Sequence, residues 1–435
     1  MTKRMLLAIL LLIVFALPAG CQKQGGEPTQ PTAPAPTILP THTPEPSPTP
    51  TPDPVGEALA GMTVEQKAAQ LLVAGIEGTE PGEDAVQAVQ GYQVGGVILF
   101  GRNVESAEQL AALTNGLKEL NGDYTPLFLC VDQEGGRVDR MPPEVTDLPS
   151  ALDFGSIADP EARMDACFTL GQTLAAQCAA FGFNMDFAPS LDIWSNPENT
   201  VIGDRAFGTD AATVTGAANE TALGILSGGV IPVAKHFPGH GDTAVDSHYG
   251  LPVVDKSLEE LEELELRPFR QAIDTTCVYG TYGGDTSIPA IMVAHILLSQ
   301  IDPDNPASLS PEVVTGLLRE EMGYEGVVCT DDLTMGAISN TYGMGEAAVL
   351  AVEAGCDLLL VCHGADNLAA AHAALVEAVD SGCISMERLD ESVYRVLSLK
   401  AVYGLSNAPV EAPDIEALND RIAALERSIE ADTSQ

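Results

Sequence analysis

One cation, three imidazoles and two carboxylates crowd into Lys235-His236-Phe237-Pro238-Gly239-His240-Gly241-Asp242 and the nearby Asp246-Ser247-His248. The stretch follows directly on an apolar run at 230–234, so a buried strand gives way to a polar turn shaped by Gly and Pro. Holding so many ionisable groups together costs free energy unless they are solvated, paired or used in chemistry.

Two chemistries compete for these residues. His236, His240, Asp242, Asp246 and His248 mix imidazole and carboxylate at short spacing, a set that could ligate zinc. Their spacing differs from the helical His-Glu-x-x-His pattern, and the Gly and Pro residues would suit substrate contact equally well, so no metal is expected. Glycoside hydrolysis instead needs a nucleophilic carboxylate and a separate proton donor. Asp331 ends the apolar run 326–330 and is the candidate nucleophile, with an N-cap or a paired loop acid as its bland alternative. Asp332 is expected to point the other way along the continuing strand. Asp246 and His248, one residue apart, fall on the same side of an extended loop, where the carboxylate would orient the imidazole and raise its pKa, making it a general acid.

Eight short apolar runs could carry these groups: 71–74, 96–100, 127–131, 184–188, 230–234, 291–296, 326–330 and 358–361. Helix-period stretches separate most of them; one opens with Ser257 and Glu260 as a capping-box pair ahead of Leu261 and Leu264. Repeated strand-helix units predict an α/β fold, a single (β/α)8 TIM-type barrel. The alternative, an open doubly wound sheet, lacks a GxGxxG after its first strand. Arg102, Asp132, Asp192, Lys235, His295 and Asp331 then fall at C-terminal strand ends, where a barrel gathers its chemistry. Leu418, Ile422, Leu425 and Ile429 recur at helical spacing in the tail and are expected to pack on the barrel.

Against 20 Lys+Arg stand 62 Asp+Glu, a formal net charge of -42, which argues against nucleic-acid partners. Lys3 and Arg4 precede an apolar run and Pro18-Ala19-Gly20-Cys21, the pattern of an exported lipoprotein signal over 1–21 with Cys21 as lipid-bearing residue on the outer face of the cell membrane. Residues 22–55, rich in Pro and Thr, predict a disordered spacer. The barrel is expected over 56–406, and a linker with a short amphipathic helix over 407–435. The eight cysteines beyond Cys21 show no CxxC pairs and are expected to be buried thiols.

From Met62 to about Leu405 the chain resembles glycoside hydrolase family 3, in its β-N-acetylglucosaminidase (β-N-acetylhexosaminidase) branch. The resemblance rests on Met62-Thr63-Val64-Glu65-Gln66-Lys67, Asp132-Gln133-Glu134-Gly135-Gly136-Arg137-Val138, the Lys235 to His248 stretch, Met292-Val293-Ala294-His295 and Thr330-Asp331-Asp332-Leu333-Thr334-Met335. It implies a (β/α)8 barrel, retention of anomeric configuration, Asp331 as nucleophile and His248 with Asp246 as the acid/base pair. It also implies sugar contacts by Asp132, Arg140, Arg205, Lys235 and His236, the two arginines having structural ion pairing as their alternative role. His240 and Asp242 are expected to shape the loop. No second α/β domain is expected after the barrel, which leaves the local Asp246/His248 pair as proton donor.

The activity so implied is exo-hydrolysis of terminal β-linked N-acetylglucosamine from peptidoglycan fragments or chitooligosaccharides, without a cofactor. Phosphorolysis is the nearer alternative, because a histidine donor does not repel phosphate. A non-catalytic carbohydrate-binding lipoprotein is the more distant one, and the set Asp331, Asp246 and His248 argues against it.

Overall fold

The structure, a computed structural model, describes residues 53–243, 246–247, 249–275 and 288–433. The signal segment, Cys21, His248 and Cys277 lie outside the described residues. Each of the eight apolar runs forms a strand: β1 Leu72–Gly75, β2 Gly96–Ile98, β3 Phe128–Val131, β4 Met185–Asp186, β5 Ile231–Phe237, β6 Ala290–Val293, β7 Val327–Asp332 and β8 Leu358–Val361. All pair in parallel with their sequence neighbours, and β1 pairs with both β2 and β8, which closes the barrel.

Two apolar layers hold it. Inside, Val73, Ile98, Phe128, Cys130, Met185, Ile231, Val233, Met292, Cys329 and Leu360 fill the barrel as one buried cluster. Outside, alternate strand residues such as Leu72, Leu129, Ala234, Ile291 and Val328 pack under the helices. This two-sided burial is why the strands read as continuous apolar runs. At the lower end, Val396 and Leu399 of the helix Met386–Val402 enter the inner cluster. Lys400 on the same helix bonds Gln70 Oε1 and Gly95 O, both at 2.8 Å, and lies 4.8 Å over the Phe128 ring.

The expected capping box of Ser257 and Glu260 starts the helix Leu258–Glu263. The tail forms the helix Ile415–Thr433, which buries Leu418, Ile422 and Leu425 against the helix Pro160–Ala180, with Ile429 packed alongside. Six of the expected buried thiols, Cys130, Cys167, Cys178, Cys329, Cys356 and Cys362, are buried and free. Cys383 is exposed instead, because it lies in the turn after the helix Ala365–Ser381, with its Sγ 3.1 Å from Glu353 Oε1. Among the described residues no helix is long and apolar enough to cross a membrane.

Candidate active site

Strand alternation aims the key side chains. Phe128 and Cys130 face the barrel interior, as do Ile231 and Val233, and Val327 and Cys329. Two residues further on, at the upper rim, the same faces present Asp132, Lys235 and Asp331, which line a cavity of about 790 Å³. His236, Arg140, Arg205 and Asp246 line it too. Every described residue expected to contact sugar or transfer protons therefore meets in one place.

Strands β5 and β7 run past their apolar runs, to Phe237 and Asp332, so Lys235, His236, Asp331 and Asp332 all sit on strand ends. The ladder between β5 and β6 slips register between Ala234 and Phe237, and Lys235 and His236, though adjacent, both reach the cavity. The β8–β7 ladder slips likewise between Leu358 and Leu360. Asp332 consequently lines the cavity wall beside Asp331, contrary to strict alternation. Both Asp332 oxygens are engaged: Oδ1 accepts from Thr334 N (2.9 Å) and Cys362 N (3.1 Å), and Oδ2 from Thr334 Oγ1 (2.5 Å).

Asp331 is the less encumbered of the two. Among the described residues its carboxylate accepts one hydrogen bond, from Asp332 N at 2.7 Å. Burial pushes its pKa up, but His295, His236, the Asp332 amide and Lys235 together outweigh that and hold it below the ordinary value. It is thus an anion at neutral pH. Beneath it, the fully buried His295 bonds the Asp332 carbonyl through Nε2 (3.0 Å) and Ser308 Oγ through Nδ1 (2.7 Å), and burial lowers its pKa. A neutral ring with its proton on Nε2 satisfies both partners.

Elsewhere in the cavity lining Lys235 Nζ lies 2.6 Å from both Asp132 Oδ1 and Glu134 Oε1. Glu134 in turn receives a bidentate pair from Arg205, Nη2 to Oε1 at 2.7 Å and Nε to Oε2 at 2.9 Å. Burial alone would raise the Glu134 pKa; the charges of Arg205 and Lys235 instead hold it far below the carboxylate range. Lys235, whose pKa burial would lower, is raised by Asp132 and Glu134. Arg205 therefore has the structural ion-pair role as well as a place at the cavity. Glu134 owes its position to the turn that follows: Gly135 has φ +83, and a Cβ there would stand 2.9 Å from Pro149 O. Arg140 donates from Nη1 to Asp139 O at 2.9 Å and makes no carboxylate ion pair among the described residues.

Asp192 organises the histidines. Its Oδ2 is 2.6 Å from His236 Nδ1, and its Oδ1 accepts the His240 amide at 2.6 Å. His236 Nε2 then faces Arg205 Nη2 at 3.4 Å. Asp242 turns away to Ser195 Oγ (3.2 Å) and Lys256 Nζ (3.1 Å). Arg102 does not reach the cavity; it holds Ile76 O and Cys362 O and lies over the Phe100 ring.

Sequence reasoning gives Glu134 no place in the site and places Asp192 at a strand end without a role. Glu134 stands in the quoted Asp132 to Val138 motif and Asp192 just beyond a strand end, but their partners are 71 and 44 residues away.

Residues 63–399 match the glycosyl hydrolase family 3 N terminal domain. The chain belongs to glycoside hydrolase family 3. It is 35% identical to the beta-hexosaminidase of Nitrosomonas eutropha, over 75% of this chain and 91% of that one. It is 39% identical to the beta-hexosaminidase of Methylococcus capsulatus, over 66% of this chain and 80% of that one. Among solved structures it is similar to the family 3 beta-N-acetylglucosaminidase from Paenibacillus sp. str. FPU-7, with a TM-score of 0.77 and 41% identity, covering 85% of this chain and 69% of that one. The family and branch expected from the sequence are borne out, and so is the barrel.

Proposed function

We propose that this glycoside hydrolase is a retaining exo-β-N-acetylglucosaminidase that removes terminal β-linked N-acetylglucosamine from peptidoglycan fragments or chitooligosaccharides. Its activity as a β-N-acetylhexosaminidase rests on the family match and on the relatives described above. The observation that carries the finer reading is Asp331: an ionised carboxylate at the end of β7, lining the same cavity as Lys235, Asp132 and Arg205, whose ion pairs run through Glu134.

In the first step the Asp331 carboxylate attacks the anomeric carbon while His248, oriented by Asp246, protonates the departing glycosidic oxygen. In the second, His248 takes a proton from water, whose oxygen displaces Asp331 from the anomeric carbon. Asp132, Arg140, Arg205, Lys235 and His236 hold the sugar's hydroxyls and acetamido group. Lys235 and Arg205 suit this because their carboxylate partners fix them before substrate arrives, so little reorganisation is needed. Met292, Phe187 and Leu360 of the inner apolar cluster line the cavity as well. Cys21 as a lipid anchor would place the barrel outside the cell membrane; retention of a Cys21→Ala protein in the membrane fraction would contradict that part.

The deciding experiment incubates the purified protein with an aryl β-N-acetylglucosaminide, with and without phosphate, and identifies the sugar released. Free N-acetylglucosamine of retained configuration, unaffected by phosphate, is the expected product; the sugar 1-phosphate would make the protein a phosphorylase. Asp331→Asn is expected to lower kcat by ~10⁴-fold or more. Near-normal turnover by that variant would remove Asp331 from the nucleophile's role.

A further inference from the structure

Exposure sorts the residues that line the cavity. The Lys235 side chain is 1% exposed and that of Arg205 13%, whereas His363, which lines the same cavity, is 55% exposed and so stands at its mouth. His363 lies two residues beyond the end of β8. Its ring is stacked on that of Phe100, two residues beyond β2, with centroids 5.8 Å apart and planes 25° from parallel. Phe100 lines the cavity as well.

This pair is braced by its own surroundings. Arg102 lies 4.6 Å over the Phe100 ring and donates from Nη2 to Cys362 O at 2.9 Å, so one guanidinium holds the chain on both sides of the stack. The Phe100 amide donates to Asn103 Oδ1 at 2.9 Å, and the His363 carbonyl accepts from Asn367 Nδ2 at 2.9 Å. Neither ring nitrogen of His363, by contrast, has a hydrogen bond among the described residues. Nε2 lies 3.9 Å from Asp332 Oδ2, too far for one, and that oxygen already accepts from Thr334 Oγ1. Two polar atoms on a braced aromatic shelf suit a ligand that offers hydroxyls beside an apolar ring face, as a pyranose does. Little order is lost in binding to a shelf already in place.

The terminal sugar must reach Asp331 and the buried cations of the same cavity. The rest of an exo-enzyme's substrate extends toward solvent, where the exposed part of the lining meets it. We propose that His363, on its Phe100 support, is a specificity-determining residue that binds the saccharide on the leaving side of the scissile bond, through hydrogen bonds between its ring nitrogens and that sugar's hydroxyls. The inference rests on the reading of the protein as an exo-β-N-acetylglucosaminidase and adds to it a preference for a saccharide over a small leaving group.

The test compares the β-1,4-linked disaccharide of N-acetylglucosamine with methyl β-N-acetylglucosaminide. Both leaving groups are alcohols, so the comparison turns on whether a second sugar is present. The wild-type protein is expected to have the higher kcat/KM on the disaccharide. His363 is exposed, and replacing it should leave the fold intact. For His363→Ala the loss in kcat/KM is expected to be about tenfold greater on the disaccharide than on the methyl glycoside, the effect of about one or two net hydrogen bonds. His363→Gln, which keeps a donor and an acceptor, should recover part of that difference. Phe100→Leu, which removes the aromatic support but keeps apolar bulk, should show the same bias in weaker form. Damage to the fold would lower both substrates alike. Equal losses on the two substrates for His363→Ala, or none on either, would overturn this inference and leave the hydrolase reading in place, as would a wild-type preference for the methyl glycoside. A wild-type protein that turns over neither substrate would overturn that reading and the inference with it.

Discussion

Asp192 joins two histidines that stand four positions apart, accepting from the His236 ring through one oxygen and from the His240 amide through the other. Its carboxyl is fully buried. Burial would raise its pKa; the His236 charge and hydrogen bond, with those of His240, bring it down from 3.8 to about 2. A folded pKa below the unfolded one means the unfolded chain binds more protons in that interval. The stabilisation is therefore complete above pH 3.8 and is lost as pH falls through about 2. Asp192→Asn is expected to lower the free energy of unfolding by roughly 2–3 kcal/mol at pH 7, measured by urea titration. The gap from wild type should narrow between pH 4 and pH 2, and a pH-independent gap would mean that the ion pairs contribute nothing specific.

At the scale of elements, the tail helix Ile415–Thr433 does more than cover apolar surface. Asn419 bonds Glu144 O at 3.0 Å and Thr146 N at 2.8 Å, bracing the segment that leads away from Arg140. Ile422, completely buried, anchors the helix on the outer apolar layer. Ile422→Ala should cost about 2–5 kcal/mol in unfolding free energy. If the helix also steadies the Arg140 side of the cavity, KM should rise while kcat changes little. An unchanged melting temperature would show that the helix packs without contributing to stability.

The whole molecule carries a net charge of -42, with 62 acidic against 20 basic side chains. Many of those cations are already committed: Arg319, Arg388 and Arg395 all converge on the buried Asp357, and Lys235 and Arg205 on Glu134. The remaining surface is self-repelling. Raising ionic strength from about 0.01 M to about 0.15 M shortens the screening length from ~30 Å to ~8 Å. The melting temperature should accordingly rise across that range by a few degrees, measured by circular dichroism. A fall would mean that exposed ion pairs outweigh the repulsion.

Much of the architecture is local information. Eight apolar runs alternate with helix-period stretches, and burial of the strands on both faces leaves a continuous apolar signature that neighbouring residues alone determine. The locations of Asp132, Lys235 and Asp331 are local too, because each is the next polar position after an inward-facing apolar pair. Barrel closure and strand register decide the rest. The slips beside β5 and β7 bring His236 and Asp332 into the cavity against simple alternation. The Lys235–Asp132 contact spans 103 residues and the His236–Asp192 contact 44. Periodicity reports which face a side chain occupies, whereas its charge partner depends on which strand ends the closed barrel sets side by side.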